Sequence, residues 1–140
     1  MDMEQLKAIL RSGSCRGVAR SAQGEIRRFE RRGVADLFAL VTDEPGFLCG
    51  ASVADKVIGR GAALLLLKGG AREVYAEVIS SGALGVLRSA GVEVSFGAQV
   101  ANIINRTGTD ICPVEKLTAG TSSPDEAYGL IKEFLKGKDL

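Results

Sequence analysis

The chain of 140 residues contains no histidine. A Ser-His hydrolase triad and the usual zinc deaminase site both need an imidazole, so neither chemistry is expected in its ordinary form. Cysteine is scarce as well. Cys15, Cys49 and Cys112 stand far apart and none lies in a Cys-x-x-Cys pair. An odd number leaves at least one thiol free, and the pattern points to a reducing, cytoplasmic compartment. No charge of one sign dominates. The formal net charge is +1, which argues against nucleic acid as a partner. Long hydrophobic runs are missing too. The apolar stretch Ala62–Leu67 is too short to span a bilayer, and no membrane partner is expected. The first residues, Met1-Asp2-Met3-Glu4-Gln5, are acidic and lack the basic-then-apolar pattern of a signal peptide. No Gly-x-x-x-x-Gly-Lys-[Ser/Thr] loop is present. No cofactor and no metal site is expected.

What is present suits one domain spanning residues 1–140. Hydrophobic residues make up 46% and charged residues 25%, an ordinary globular balance. A chain of this size buries roughly two-thirds of its unfolded surface, so no disulfide or metal staple is required. Asp2–Arg11 reads as a helix stopped by Ser12-Gly13. Cys15–Arg20 and Glu25–Phe29 flank the turn Ser21-Ala22-Gln23-Gly24 and read as a β-hairpin. Gly33–Val41 reads as a helix ended by Asp43-Glu44-Pro45-Gly46. Ser52 is expected to cap a buried helix, Val53–Lys68, closed by Gly69-Gly70. Glu73–Ile79 reads as a strand, Ser80–Gly91 as a helix and Val92–Phe96 as a strand, together a parallel crossover. Cys112-Pro113-Val114-Glu115 opens a short helix. Ser123-Pro124-Asp125-Glu126 starts the last one with capping-box spacing. The expected architecture is a three-layer α/β/α sandwich: a mixed sheet with an N-terminal β-hairpin followed by parallel crossover strands.

Ligands of open parallel sheets bind beyond the carboxyl ends of the strands, where helix N-termini collect. That rule selects Gly50–Lys56, Glu77–Ser81 and the polar loop Asn105–Glu115. Four stretches carry a resemblance: Gly50-Ala51-Ser52-Val53-Ala54-Asp55-Lys56-Val57, Glu73-Val74-Tyr75-Ala76-Glu77-Val78-Ile79-Ser80, Ile104-Asn105-Arg106-Thr107-Gly108-Thr109, and Cys112-Pro113-Val114-Glu115. Together, and in this order, they resemble the family known as domain of unknown function 1893. The resemblance covers about Arg16 to Phe134. It implies a small prokaryotic protein with a cytidine-deaminase-like fold, in a family without a settled activity. A zinc nucleobase deaminase holds its metal with His-x-Glu or Cys-x-Glu on one helix and Pro-Cys-x-x-Cys on the next. Here the corresponding starts read Ser52-Val53-Ala54-Asp55-Lys56 and Ser80-Ser81-Gly82-Ala83, with no thiolate or imidazole.

Four candidate groups remain. Cys112 precedes Pro113 at a helix start, where a thiol can be activated as a nucleophile or redox group; a small apolar cap residue explains it equally well. Asp55 and Lys56 are expected in the first turn of the Val53–Lys68 helix, where the dipole alone favours Asp55. In a functional role, Lys56 binds an anion and Asp55 acts as acid, base or hydroxyl acceptor. Glu77 lies near the carboxyl end of an interior strand and is either a general base or half of a structural ion pair. Asn105-Arg106-Thr107-Gly108-Thr109 suits an anion or an ordinary turn. The pocket is expected to use Ser52, Lys56, Ser80, Ser81, Asn105, Arg106, Thr107 and Glu115 for binding, with Cys112, Asp55 and Glu77 for chemistry. The cluster Arg27, Arg28, Arg31 and Arg32 reads as a solvated edge that discourages strand aggregation. The expected partner is a small nucleotide-like or phosphorylated molecule bound without metal. The alternatives are a non-catalytic sensor or regulatory subunit, and a sulfur-carrier or redox protein acting through Cys112. A homo-oligomer is compatible with the fold, though no interface is legible.

Overall fold

A computed structural model of the chain describes residues 3–31, 33–105 and 108–137. In chain order its elements are α1 (Met3–Arg11), β1 (Gly17–Arg20), β2 (Ile26–Phe29), α2 (Ala35–Asp43), β3 (Ser52–Ile58), α3 (Arg60–Gly69), β4 (Glu73–Ser80), α4 (Ser81–Ser89), β5 (Glu93–Val100), α5 (Pro113–Thr118) and α6 (Pro124–Lys136). The five strands form one sheet in the order β2-β1-β3-β4-β5. β1 runs antiparallel to both β2 and β3, while β3, β4 and β5 are mutually parallel. The hairpin and the parallel crossovers therefore share one mixed sheet, as the residue pattern implies.

Helices cover both faces, unequally. On one face α1 sets Leu6 and Leu10 against Val18, Ala54 and Tyr75. On the other, the larger core joins Val53, Val74 and Ala76 to Leu65 and Leu66 of α3 and Leu84 and Leu87 of α4. α6 packs outside α3 through the fully buried Ile131. α1 lies mainly over β1 and β3, with Tyr75 of β4 at its border, so on β5 half-buried Val94 and Phe96 alternate with exposed Ser95 and Gly97.

The structure corrects one boundary that matters. Ser52 caps no helix, and Val53–Ile58 is not helical. Ser52–Ile58 is the central strand β3, and the helix starts only at Arg60. The reason is burial on both faces. Ser52, Val53 and Ala54 are all buried, so the strand lacks the alternation that marks a half-exposed one. A stretch without strand alternation can then pass for helix. Gly59, extended at φ −95 and ψ 178, makes the turn from strand to helix. At the other end Gly70 adopts φ +88 and closes α3, the left-handed cap that Gly69-Gly70 suggests. The last strand also runs further than expected, to Val100 rather than Phe96.

Candidate functional site

The carboxyl ends of β3 and β4 meet a side chain from far along the sequence. α3 has no side-chain cap of its own, because Gly59 has no side chain to offer. Glu115, buried on α5, supplies the missing acceptor. Its Oε1 takes the Arg60 backbone N–H at 2.6 Å and the Ser80 Oγ–H at 2.9 Å. Ser80 is itself fully buried and caps α4 by accepting the Ala83 N–H at 3.2 Å. One carboxylate thus ties the start of α3 and the end of β4 to α5. An anion at a helix N-terminus is favoured by the unpaired N–H groups and the helix dipole. The clasp fits closely: a Cβ on Gly59 would lie 2.5 Å from Glu115 Oε1.

The Arg60 side chain extends the clasp. Its Nε donates to Thr118 O at 2.9 Å and Thr121 O at 3.0 Å, and Nη2 to Thr121 O at 2.7 Å and Ser122 Oγ at 3.0 Å. All are neutral acceptors, and among the described residues no carboxylate lies within ion-pair distance of the guanidinium. Arg60 also borders an open groove of about 760 Å³ with Ser81, Gly82, Gly85, Val86 and Ser89 of α4. That is the size range of small-molecule sites. Sequence reasoning passed over Arg60. The available signal was electrostatic: a cation in the first turn opposes the helix dipole, so something else must hold it there.

The other expected site residues are spread over the sheet. Ser81, exposed, donates to Val100 O at 3.2 Å and accepts from Gln99 at 3.0 Å. Cys112 is half-buried at the N-cap of α5, one turn before Glu115, and makes no side-chain cap bond. Asn105 closes a local turn, accepting the Thr109 N–H at 3.1 Å. Lys116, on α5, holds the carboxyl of Asp110 in the same loop below its usual range. Arg106 and Thr107 lie outside the described residues. Ser52 belongs to the opposite end of the sheet: it pairs with Glu73, the first residue of β4, and its Oγ–H donates to Glu73 at 3.1 Å. It cannot join Ser80 in one pocket.

Asp55 and Lys56, in mid-strand rather than in a first helical turn, point to opposite faces. Glu77 of β4 is half-buried, and its backbone carbonyl oxygen lies 2.8 Å from where a Cβ on Gly97 of β5 would sit. Lys56 lines a small polar cleft with Ser14, Arg16 and Glu30. The Asp55 carboxyl packs instead against Gly17, where a Cβ would lie 3.1 Å from its Cγ. Burial pushes Asp55 up to about 7; backbone hydrogen bonds from Val57 and Lys56 and the charge of Arg16 oppose the shift, and Glu77 adds to it.

The described residues contain no group of three or more His, Cys, Asp or Glu side chains able to hold a metal. The helix start after β3 reads Gly59-Arg60-Gly61, and that after β4 reads Ser80-Ser81-Gly82. Neither offers a thiol or an imidazole. No described helix is long and apolar enough to cross a membrane. Two members of the basic cluster are in ion pairs: Arg27 with Glu44, and Arg31 with Asp36 at 2.5 Å. Arg32 lies outside the described residues.

Comparison with known proteins bears on the fold. A family model described as domain of unknown function (DUF1893) matches residues 5–135. The crystal structure of a DUF1893 family protein from Thermotoga maritima superimposes with a TM-score of 0.84 at 24% identity, covering 94% of this chain and 88% of that one. No curated protein matches.

Proposed function

Since the chain belongs to the DUF1893 family, whose description assigns no activity, we propose from its own site that it binds a small anionic molecule, phosphorylated or nucleotide-like, without a metal. The observation that carries this reading is the Arg60 guanidinium, held by neutral oxygens at the edge of the groove. A buried or half-buried cation without a counter-charge attracts an anion, and arginine's planar fork suits phosphate. Ser81, in the first turn of α4, adds a hydroxyl and a helix terminus beside it. In this reading the scaffold is of the deaminase type with its metal positions given over to Gly59-Arg60-Gly61 and Ser80-Ser81-Gly82. Cys112 supplies a thiol on the helix that Glu115 anchors.

A second reading, a sensor that binds without turnover, draws support from Glu115. Its carboxylate oxygen already accepts two hydrogen bonds, which favours a fixed structural role over proton transfer. The two readings share the binding step and differ at Cys112. Cys112→Ala removes turnover in the first and leaves affinity nearly intact in both.

Thermal unfolding with inorganic phosphate, AMP and CMP as probes tests the binding step. A probe at about ten times its dissociation constant stabilises by ~1.4 kcal/mol, a rise of about 3–6 °C for a chain of this size. Arg60→Gln lowers the baseline melting temperature, and the expected result is that it also abolishes the probe-dependent rise. No rise with any of the three probes, or an equal rise in Arg60→Gln, overturns the reading.

A further inference from the structure

The groove beside Arg60 has two unlike ends. Because β3, β4 and β5 are parallel, α3 and α4 run in the same direction, and both pack on the larger core. Arg60 and Ser81, the first residues of the two helices, form one end, with Ser122 against the guanidinium. Gly70 and Ala71 after α3, and Ala90 and Val92 after α4, form the other. Between the ends, Gly82, Gly85, Val86 and Ser89 bring one face of α4 to the groove over its whole length. The nine residues of α4 span about 13 Å. Among the residues that line the groove, Arg60 alone is charged. The apolar surface lies further along, where Leu67, Val86 and Val92 are only partly covered by the core they pack on. Gly85 keeps the middle open: a Cβ there would meet nothing within 4 Å.

Resting on the reading that an anion binds at Arg60, we propose that the ligand is an amphiphile: a phosphate monoester of a linear hydrocarbon chain, its head on Arg60 and its chain laid along α4 towards Val92. The head follows from the arginine fork, which is held by neutral oxygens and faces no carboxylate. The chain follows from the lining. Leu67, Val86 and Val92 offer aliphatic surface that is half open to water, and covering such surface is favourable for each methylene laid on it. Gly82 and Gly85, having no side chains, let a thin chain lie close to the helix. The length fits as well. An extended chain advances about 1.2 Å per bond, so a groove of about 13 Å takes roughly ten carbons. A nucleobase suits the same space less well. Bases are recognised by stacking on aromatic rings and by hydrogen bonds to their edges. No aromatic, amide or carboxylate side chain lines this groove. Its polar side chains other than Arg60 are three serines, of which Ser81 is engaged by Val100 and Gln99 and Ser122 by Arg60.

The test is isothermal titration calorimetry of the full chain with inorganic phosphate, AMP, ethyl phosphate and octyl phosphate, the last below micelle formation. Octyl phosphate is expected to bind at least ~30-fold more tightly than ethyl phosphate, because a fully buried methylene gives about fourfold and an open groove covers about half of each. Gly85→Leu places a side chain in the open middle of the groove, and leucine is the better helix former. In this variant the octyl-to-ethyl ratio is expected to fall below ~3-fold. If Gly85→Leu fails to fold, Ser89→Leu, at an exposed position one turn further on, carries the same block. A ratio near one in an unaltered chain that still binds phosphate or AMP overturns the amphiphile and leaves the anion site standing. AMP binding more tightly than octyl phosphate does the same, as does a ratio that persists in the folded blocked variant. Binding of none of the four, or octyl phosphate binding undiminished in Arg60→Gln, removes the anion site and the amphiphile with it.

Discussion

Asp55 sits in the middle of a central strand, a position that suits neither its charge nor the helix-start role its sequence neighbours suggest. Its carboxyl titrates near 7 against an ordinary value of 3.8 because burial disfavours the charge. Below about pH 4 the group is protonated in both the folded and the unfolded chain and costs nothing. As pH rises from there to about 7, the unfolded chain ionises first and stability falls; above 7 the full penalty stands. Asp55→Asn keeps the shape and the acceptor for the Val57 N–H. It is expected to leave stability unchanged near pH 4 and to raise it by on the order of 1–3 kcal/mol at about pH 8. Denaturant melts of both chains at the two pH values check this; a gain that is larger at the acidic end contradicts the assignment. Residue types in the candidate site were legible: Glu115 and Ser80 were both singled out from the sequence, and both lie in the clasp. What sequence could not supply was the pairing. The sequence places Glu115 among the ligand-binding residues, whereas its hydrogen bonds go to residues on two other elements.

At the scale of elements, α3 shows why boundaries escape a reading by pattern. Both ends of the apolar stretch were visible as glycines, and Gly70 does close the helix. The entry was misread because β3 begins with Ser52, Val53 and Ala54 all buried and so lacks strand alternation there. The error carried Ser52, Asp55 and Lys56 into a helical turn they do not occupy. α3 itself is held by close contact. Gly61 faces α5, where an added Cβ would collide with Val114 and lie 3.4 Å from Ile131 Cδ1. Alanine is the better helix former by about 1 kcal/mol. Overpacking typically costs about 1–3 kcal/mol, so the collision is expected to win. Gly61→Ala should lower the melting temperature by about 3–8 °C, whereas Gly85→Ala in α4, which has open space at its Cβ, should leave it unchanged or raise it. Calorimetry of the two variants separates crowding from helix propensity.

Across the whole molecule, the layered α/β class, the hairpin, the crossovers and the family were all readable. The alternation of apolar strand cores with capped helices repeats along most of the chain. The uneven covering of the sheet was not readable, because it depends on where α1 lands. The Glu115 clasp has a further consequence in time. It joins positions 55 residues apart at Arg60 and 35 apart at Ser80. Closing such loops is entropically costly and comes early only when many contacts reward it. α3, β4 and α4 are consecutive in sequence and share the larger core, so they can assemble first, with α5 docking after the barrier. Glu115→Ala, which strands the Arg60 N–H, is then expected to destabilise by about 1–3 kcal/mol. In stopped-flow measurements nearly all of that loss should appear as faster unfolding, with the refolding rate within about twofold of the unaltered chain. A refolding rate slowed in proportion to the lost stability would place the clasp in the folding nucleus instead.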